Sequence, residues 1–154
     1  MHYYKDAAGN IGEYRRPQPS LTEATVQERN GHLLAEAEQS KRAELDAAYE
    51  AAIVADVTYA GDIYQADSRI IDKLKRLDVY RSTSTPLPAG FTWRTKDNQD
   101  RPFTWADIDG LVGAISANEF AASENLKVKK NALKAAVLLT PKTAAITAVN
   151  AINW

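Results

Sequence analysis

Residues 91–105 read Phe91-Thr92-Trp93-Arg94-Thr95-Lys96-Asp97-Asn98-Gln99-Asp100-Arg101-Pro102-Phe103-Thr104-Trp105. Two aromatic-flanked runs of strand-forming residues surround Asp97-Asn98, a pair suited to a turn, so the stretch predicts a β-hairpin. Thr104 then stands three residues before Asp107, the spacing of a capping box, and a long helix should start there. At 100° per residue, Ile108, Leu111, Val112, Ile115, Ala122, Leu126, Leu133, Ala136 and Val137 fall on one stripe. The phase holds over about 30 residues, which predicts one helix or two in register. Its acids (Asp107, Asp109, Glu119, Glu124) come early and its lysines (Lys127, Lys129, Lys130, Lys134) late, as the helix dipole favours. Thr140 as cap and Pro141 in the first turn predict a last helix, with Ala145, Val149 and Ile152 inward and Trp154 closing it.

Upstream, the same grammar repeats. Val57-Thr58-Tyr59 and Asp62-Ile63-Tyr64 flank Ala60-Gly61, a second hairpin, and Asp67 caps a helix with Ile70, Ile71, Leu74 and Leu77 on one face. Residues 81–90 read as a Ser/Thr/Pro loop. Before these, Ser20 and Glu23 have capping-box spacing, so a helix is expected from there to about Ile53, with Gly31 a point where it could split. Pro17 and Pro19 make an extended connector. At the start, His2–Lys5 and Ile11–Tyr14 flank Gly9-Asn10, predicting a small hairpin that must dock on its own chain or on a partner, because two strands alone are marginal in water.

The expected architecture is α+β: a small N-terminal β-hairpin, a linker, a long helix, then a compact domain of two short hairpins and three helices. The boundaries fall at residues 1–19, 20–53 and 54–154.

Composition excludes several function classes. With no cysteine in 154 residues, disulfide staples, thiolate zinc sites and cysteine nucleophiles are out. A net charge of −1 supplies no field to steer the chain to nucleic acid, and none is expected as partner. No apolar run is long enough to span a membrane, and the first residues lack the apolar core of a signal peptide, so synthesis and folding in a cytoplasm are expected.

Candidate chemistry is sparse. His2 and His32 lack the converging partners of a metal site. Asp56, Asp62 and Asp67 flank the second hairpin without the spacing of a calcium loop. Gly110 and Gly113 sit inside the long helix, where they read as allowances for close packing rather than a phosphate loop. No catalytic, cofactor or metal residue is therefore assigned. Trp93 and Trp105 read as core. Phe120, Val128 and Leu138 project away from the stripe, which calls for a second buried surface against another helix or a partner subunit. With Tyr3, Tyr4 and Tyr14 of the first hairpin they are the partner-interface candidates.

Tyr64-Gln65-Ala66-Asp67 before an amphipathic helix, the Trp-bearing hairpin, Phe103-Thr104-Trp105-Ala106-Asp107 opening a long helix, and the closing Ala151-Ile152-Asn153-Trp154 resemble a domain of unknown function. That domain is found in tail-fibre and tail-accessory proteins of tailed bacteriophages and prophages. The likeness covers about residues 41–154, with residues 81–90 matching loosely. The opening Tyr3-Tyr4-Lys5-Asp6-Ala7-Ala8-Gly9-Asn10 also looks like the start of many short phage tail proteins. The resemblance carries no catalytic residues, so it implies a setting rather than a site. That setting is a non-enzymatic structural component of a phage tail, at the fibre or baseplate periphery, assembled in the host cytoplasm. Its partners would be tail-fibre or baseplate proteins and further copies of itself, a trimer being the first arrangement to expect. It could also serve in host attachment through residues 81–90 or the hairpin tips. Two alternatives stay open: a cytoplasmic tail-fibre assembly chaperone absent from the virion, and an envelope glycan hydrolase using carboxylates among Asp56, Asp62 and Asp67.

Overall fold

The computed structural model describes residues 1–83 and 86–154. Its elements follow the α+β plan. They are β1 (His2–Lys5), β2 (Ile11–Tyr14), β3 (Thr22–Glu23), α1 (Val26–Ile53), β4 (Val57–Tyr59), β5 (Asp62–Tyr64), α2 (Ser68–Ser82), β6 (Thr92–Arg94), β7 (Asp100–Pro102), α3 (Trp105–Ala136) and α4 (Lys142–Asn150). Residues 84 and 85, inside the expected loop over 81–90, lie outside the described residues. Arg81 itself is helical, because α2 runs on to Ser82.

Contacts divide the chain into two compact units, Met1–Asp46 with Lys127–Trp154, and Ala47–Leu126. This division differs from the boundaries at residues 19 and 53 suggested by composition, since α1 and α3 each give residues to both units.

In the first unit the N-terminal hairpin is a three-stranded antiparallel sheet, in the order β2-β1-β3. Asp6 shapes the β1–β2 turn, its carboxylate accepting from the backbone N–H of Ala8 and Asn10 at 2.9 Å each. The third strand was not expected. Thr22 and Glu23 pair with Lys5 and Tyr4 of β1, so the Ser20–Glu23 box does not form and α1 starts at Val26, later than that box implied. A second box wins. Thr25 N–H and Oγ1–H both donate to Glu28 Oε2 at 2.9 Å, and Glu28 N–H donates to Thr25 Oγ1 at 3.2 Å. The reason is tertiary: Lys5 on β1 donates to Glu28 Oε1 at 2.7 Å, tying this cap to the sheet. Gly31 does not split α1; a Cβ there would lie 2.9 Å from Lys142 Nζ.

Glu28 also gives a pH prediction. The Lys5 ammonium, then the Thr25 donors, hold its carboxyl at about 2, against an ordinary 4.5. A carboxyl with a lowered folded-state pKa stabilises fully above its unfolded value and loses that contribution as pH falls toward the folded one. Resistance of the first unit to unfolding should therefore fall between about pH 5 and pH 2. In Glu28→Gln that part of the slope should be missing, measured by urea unfolding followed through far-ultraviolet circular dichroism. An unchanged slope in the variant would remove Glu28 as its cause.

The rest of the first unit is helical. Leu133, Ala136 and Val149 are buried, with Leu34, Ala37, Val137, Ala148 and Ile152 packed against them. Ala145 and Val149 face inward as expected, but Trp154 is exposed and closes no core. The expected cap is also displaced. Pro141 occupies the N-cap position of α4 and no side chain caps the helix, so Thr140 has no capping role.

The second unit holds hairpins β4–β5 and β6–β7 with α2 and the first part of α3. Ala60 and Gly61 take positive φ (50° and 87°), the geometry of a tight hairpin turn matched to strand twist. Lys96 N–H donates to Ile63 C=O at 2.8 Å and joins the two hairpins. The core is aromatic. Phe103 lies 5.8 Å from Trp93 in a stacked arrangement and 5.6 Å from Tyr64 edge to face, ring centre to ring centre. Leu74, Ile108, Leu111 and Ile115 complete it, with Trp105 partly buried against it. Asp67 caps α2, accepting from Ile70 N–H at 3.0 Å. Thr104 and Asp107 close the expected box on α3, Thr104 N–H donating to Asp107 Oδ2 at 2.8 Å.

Candidate functional site

A concavity lies wholly in the second unit, between α2 and α3. It is an open trough of about 420 Å³. Its floor is made by Leu74 of α2 with Ile108 and Ile115 of α3, the residues that the 3.6-residue period turns toward the core. Val112 was expected to be buried with them. It lines the trough instead and remains 41% exposed. One end of the trough is shut by Arg81, whose Nη1 donates to Asp109 Oδ1 at 2.6 Å while its guanidinium sits 5.3 Å from the centre of the Trp105 ring. From the Arg81–Asp109 contact at that end the trough is lined by α2 back to Ile71 and by α3 on to Glu119, so the two helices line it in opposite chain directions.

On another face of α2, Lys73 Nζ stands 3.9 Å from the centre of the Trp93 ring, and burial lowers its pKa. A desolvated ammonium over an indole face is a cation–π contact. It joins the helix to the hairpin core.

The sequence candidates fall out as follows. The three aspartates around the second hairpin do not converge. Asp62 takes both Arg101 donors at 2.9 Å, Asp56 takes Lys96, and Asp67 caps α2 and accepts from Arg69 at 3.3 Å. No group of three potential metal ligands occurs among the described residues. His32 Nε2 lies 3.1 Å from Glu36 Oε1, one turn along α1. Gly110 does allow a close approach: a Cβ there would sit 2.3 Å from Tyr59 Cε2. Gly113 does not, since nothing would lie within 4 Å of its Cβ.

The tyrosines of the first sheet are used within their own unit. Tyr4 is buried and meets Tyr14 edge to face at 5.9 Å, and Tyr3 meets His32 of α1 at 6.3 Å. Of the two alternatives for docking the hairpin, its own chain therefore supplies contacts. Phe120, Val128 and Leu138 are 70%, 60% and 80% exposed, so no helix among the described residues supplies the second buried surface their positions called for. The trough and the buried Lys41, whose Nζ donates to Glu44 Oε2 at 2.5 Å, were not foreseen. Only the Ile71–Leu74 and Ile108–Ile115 spacings hinted at two apolar faces that could meet.

The fold and these surfaces define a mixed α/β protein, with short hairpins and long helices and a few large apolar side chains left in solvent. The chain belongs to the family described as "Domain of unknown function (DUF4376)", whose sequence model matches residues 36–153. No curated protein and no solved structure matches the chain. No helix among the described residues is long and apolar enough to cross a membrane.

Proposed function

We propose that the protein is a non-enzymatic structural component of a bacteriophage tail, at the fibre or baseplate periphery, that works by binding other proteins. The observation that carries the reading is the exposure of Phe120, Val128 and Leu138, large apolar side chains held in solvent on ordered helical or helix-flanking backbone. Scattered apolar exposure is ordinary, but Phe120 is aromatic, and aromatics are enriched where proteins meet. The tail setting rests on the sequence resemblance. Apart from the closing residues 151–154, which lie in the first unit, its residues belong to the framework of the second unit: Tyr64, Ala66 and Phe103 are buried, and Asp67 and Asp107 cap helices. A likeness carried by such residues is one of fold, and a setting can be shared where no reactive group is.

Mass spectrometry of purified particles of a phage encoding this chain tests the reading. The peptide should co-purify with particles at a fixed ratio to the other tail proteins. Absence from every particle preparation, with the protein abundant in the infected-cell lysate, would reject a virion component in favour of an assembly chaperone.

A further inference from the structure

The α2–α3 trough has banks of opposite charge. On the α2 side (Ser68–Ser82) the charged residues that line the trough are Lys75, Arg81 and Asp78, two basic against one acidic. On the α3 side the charged residues that line it are Asp109 and Glu119, both acidic. Arg81 and Asp109 neutralise one another at the closed end. At the open end Lys75, 3.9 Å from Asp72 of its own helix, and Glu119 remain on opposite banks, and no ion pair joins Lys75 to Glu119 among the described residues. Between the banks runs an apolar floor with Val112 half in solvent.

Such a surface is complementary to itself. If a second copy faces it across a two-fold axis running along the trough, each α2 lies over the other copy's α3 at the same level. The basic bank then meets the acidic bank, and Val112 of each copy enters the other's trough. A two-fold axis across the trough would set like charges together. We infer that this trough is the seam of a symmetric dimer, in which a second copy of the chain lays its own α2–α3 pair over this one as an antiparallel four-helix layer. An isologous two-fold contact is the commonest closed arrangement for identical chains. The inference concerns pairing of the chain with itself and stands apart from the tail setting. It replaces the trimer expected from the resemblance.

Light scattering coupled to size exclusion on the full chain tests it, at about 100 µM and at low and high salt. Wild type should run at twice the chain mass, with dissociation promoted by salt. Val112→Lys should weaken the dimer at least about tenfold, because it places an ammonium in the apolar seam. Ser116→Arg on the same bank is the second variant should Val112→Lys fail to fold by circular dichroism. Charge reversal gives the readout that a merely structural role would not move. Lys75→Glu and Glu119→Lys should each weaken association, and the double variant should recover it. A monomeric or trimeric wild type would overturn the inference, and a monomer would return the trough to a partner of different sequence. A dimer that survives both seam variants, or a double variant no better than the singles, would overturn it equally.

Discussion

Trp93→Ala should cost the second unit about 3–5 kcal/mol, the range for truncating a large buried aromatic side chain. The ring is 1% exposed, the largest side chain so completely enclosed. It stacks on Phe103 and lies 6.3 Å from Phe91, and it carries the Lys73 ammonium on its face. Removing it leaves a cavity the size of an indole beside the Phe91 and Phe103 rings, and the surrounding core relaxes only in part. It also strands Lys73. Set against a typical domain stability of about 5–15 kcal/mol, the loss should leave the second unit barely folded at physiological temperature. Urea unfolding by circular dichroism would show the midpoint collapse, and Trp93→Phe should recover part of it. A loss below about 1 kcal/mol for Trp93→Ala would mean that the hairpin core is not what holds this unit together. Lys73→Met separates the two terms: it keeps the aliphatic cover but not the charge, and should cost far less than loss of the ring.

Much of this fold could be read before the structure, and the parts that could be read share a property: their determinants lie within a few residues of one another. The Ala60-Gly61 and Asp97-Asn98 turns form because Gly61 and Asn98 accept positive φ. The Asp67 and Thr104 caps form because side-chain acceptors stand at the right distance from free N–H groups. The expectations that failed were settled by distant partners. Ser20–Glu23 and Thr25–Glu28 are equally good boxes in sequence, and β1 decides between them by pairing with Thr22 and Glu23 and sending Lys5 to Glu28. Thr140 has the composition of a cap, but Pro141 takes the N-cap position. The division into units was hidden because two helices of 28 and 32 residues each serve both, and helical periodicity does not register a change of neighbours.

The candidate surfaces were legible only in part. Phe120, Val128 and Leu138 could be marked as off the stripe from angle alone, and their exposure agrees with that. Val112 could not be told from Leu111, its neighbour on the same stripe. What separates them is where α2 stops covering α3, and that depends on the packing of Leu74 and Ile108 rather than on residues near 112. The charged banks had the same limitation. The run of acids along the early part of α3 reads as service to the helix dipole. Its facing by Lys75 appears only once α2 is laid antiparallel beside it. A sequence can thus mark a side chain as surplus to the core more readily than it can say what the surplus faces.

Gly110 and Gly113 make this limit measurable, since they lie three residues apart in one helix and look alike in sequence. Each occupies a helix interior, where replacing Gly by Ala should gain about 1 kcal/mol from backbone entropy alone. At Gly113 nothing opposes that gain, because a methyl group would meet no atom within 4 Å. Gly113→Ala should therefore stabilise by about 0.5–1 kcal/mol. At Gly110 the same methyl would overlap the Tyr59 ring, with Cε2 at 2.3 Å and Cζ at 2.5 Å. The ring has little room to retreat. It packs 6.2 Å from Phe103 and 6.4 Å from Tyr64, and its hydroxyl donates to Asp107 Oδ1 at 3.3 Å, the same carboxylate that caps α3. Displacing it disturbs the aromatic core and weakens a bond at the helix start together, so overpacking should exceed the propensity gain and leave a net loss of about 1–3 kcal/mol. Thermal unfolding of the two variants beside wild type should thus move in opposite directions. Tyr59→Leu in the Gly110→Ala background should recover part of the loss by removing the ring that the methyl strikes. If Gly110→Ala proves as stabilising as Gly113→Ala, Tyr59 is not pinned against α3, and the close contact between the β4–β5 hairpin and that helix is not what sets the geometry of the second unit.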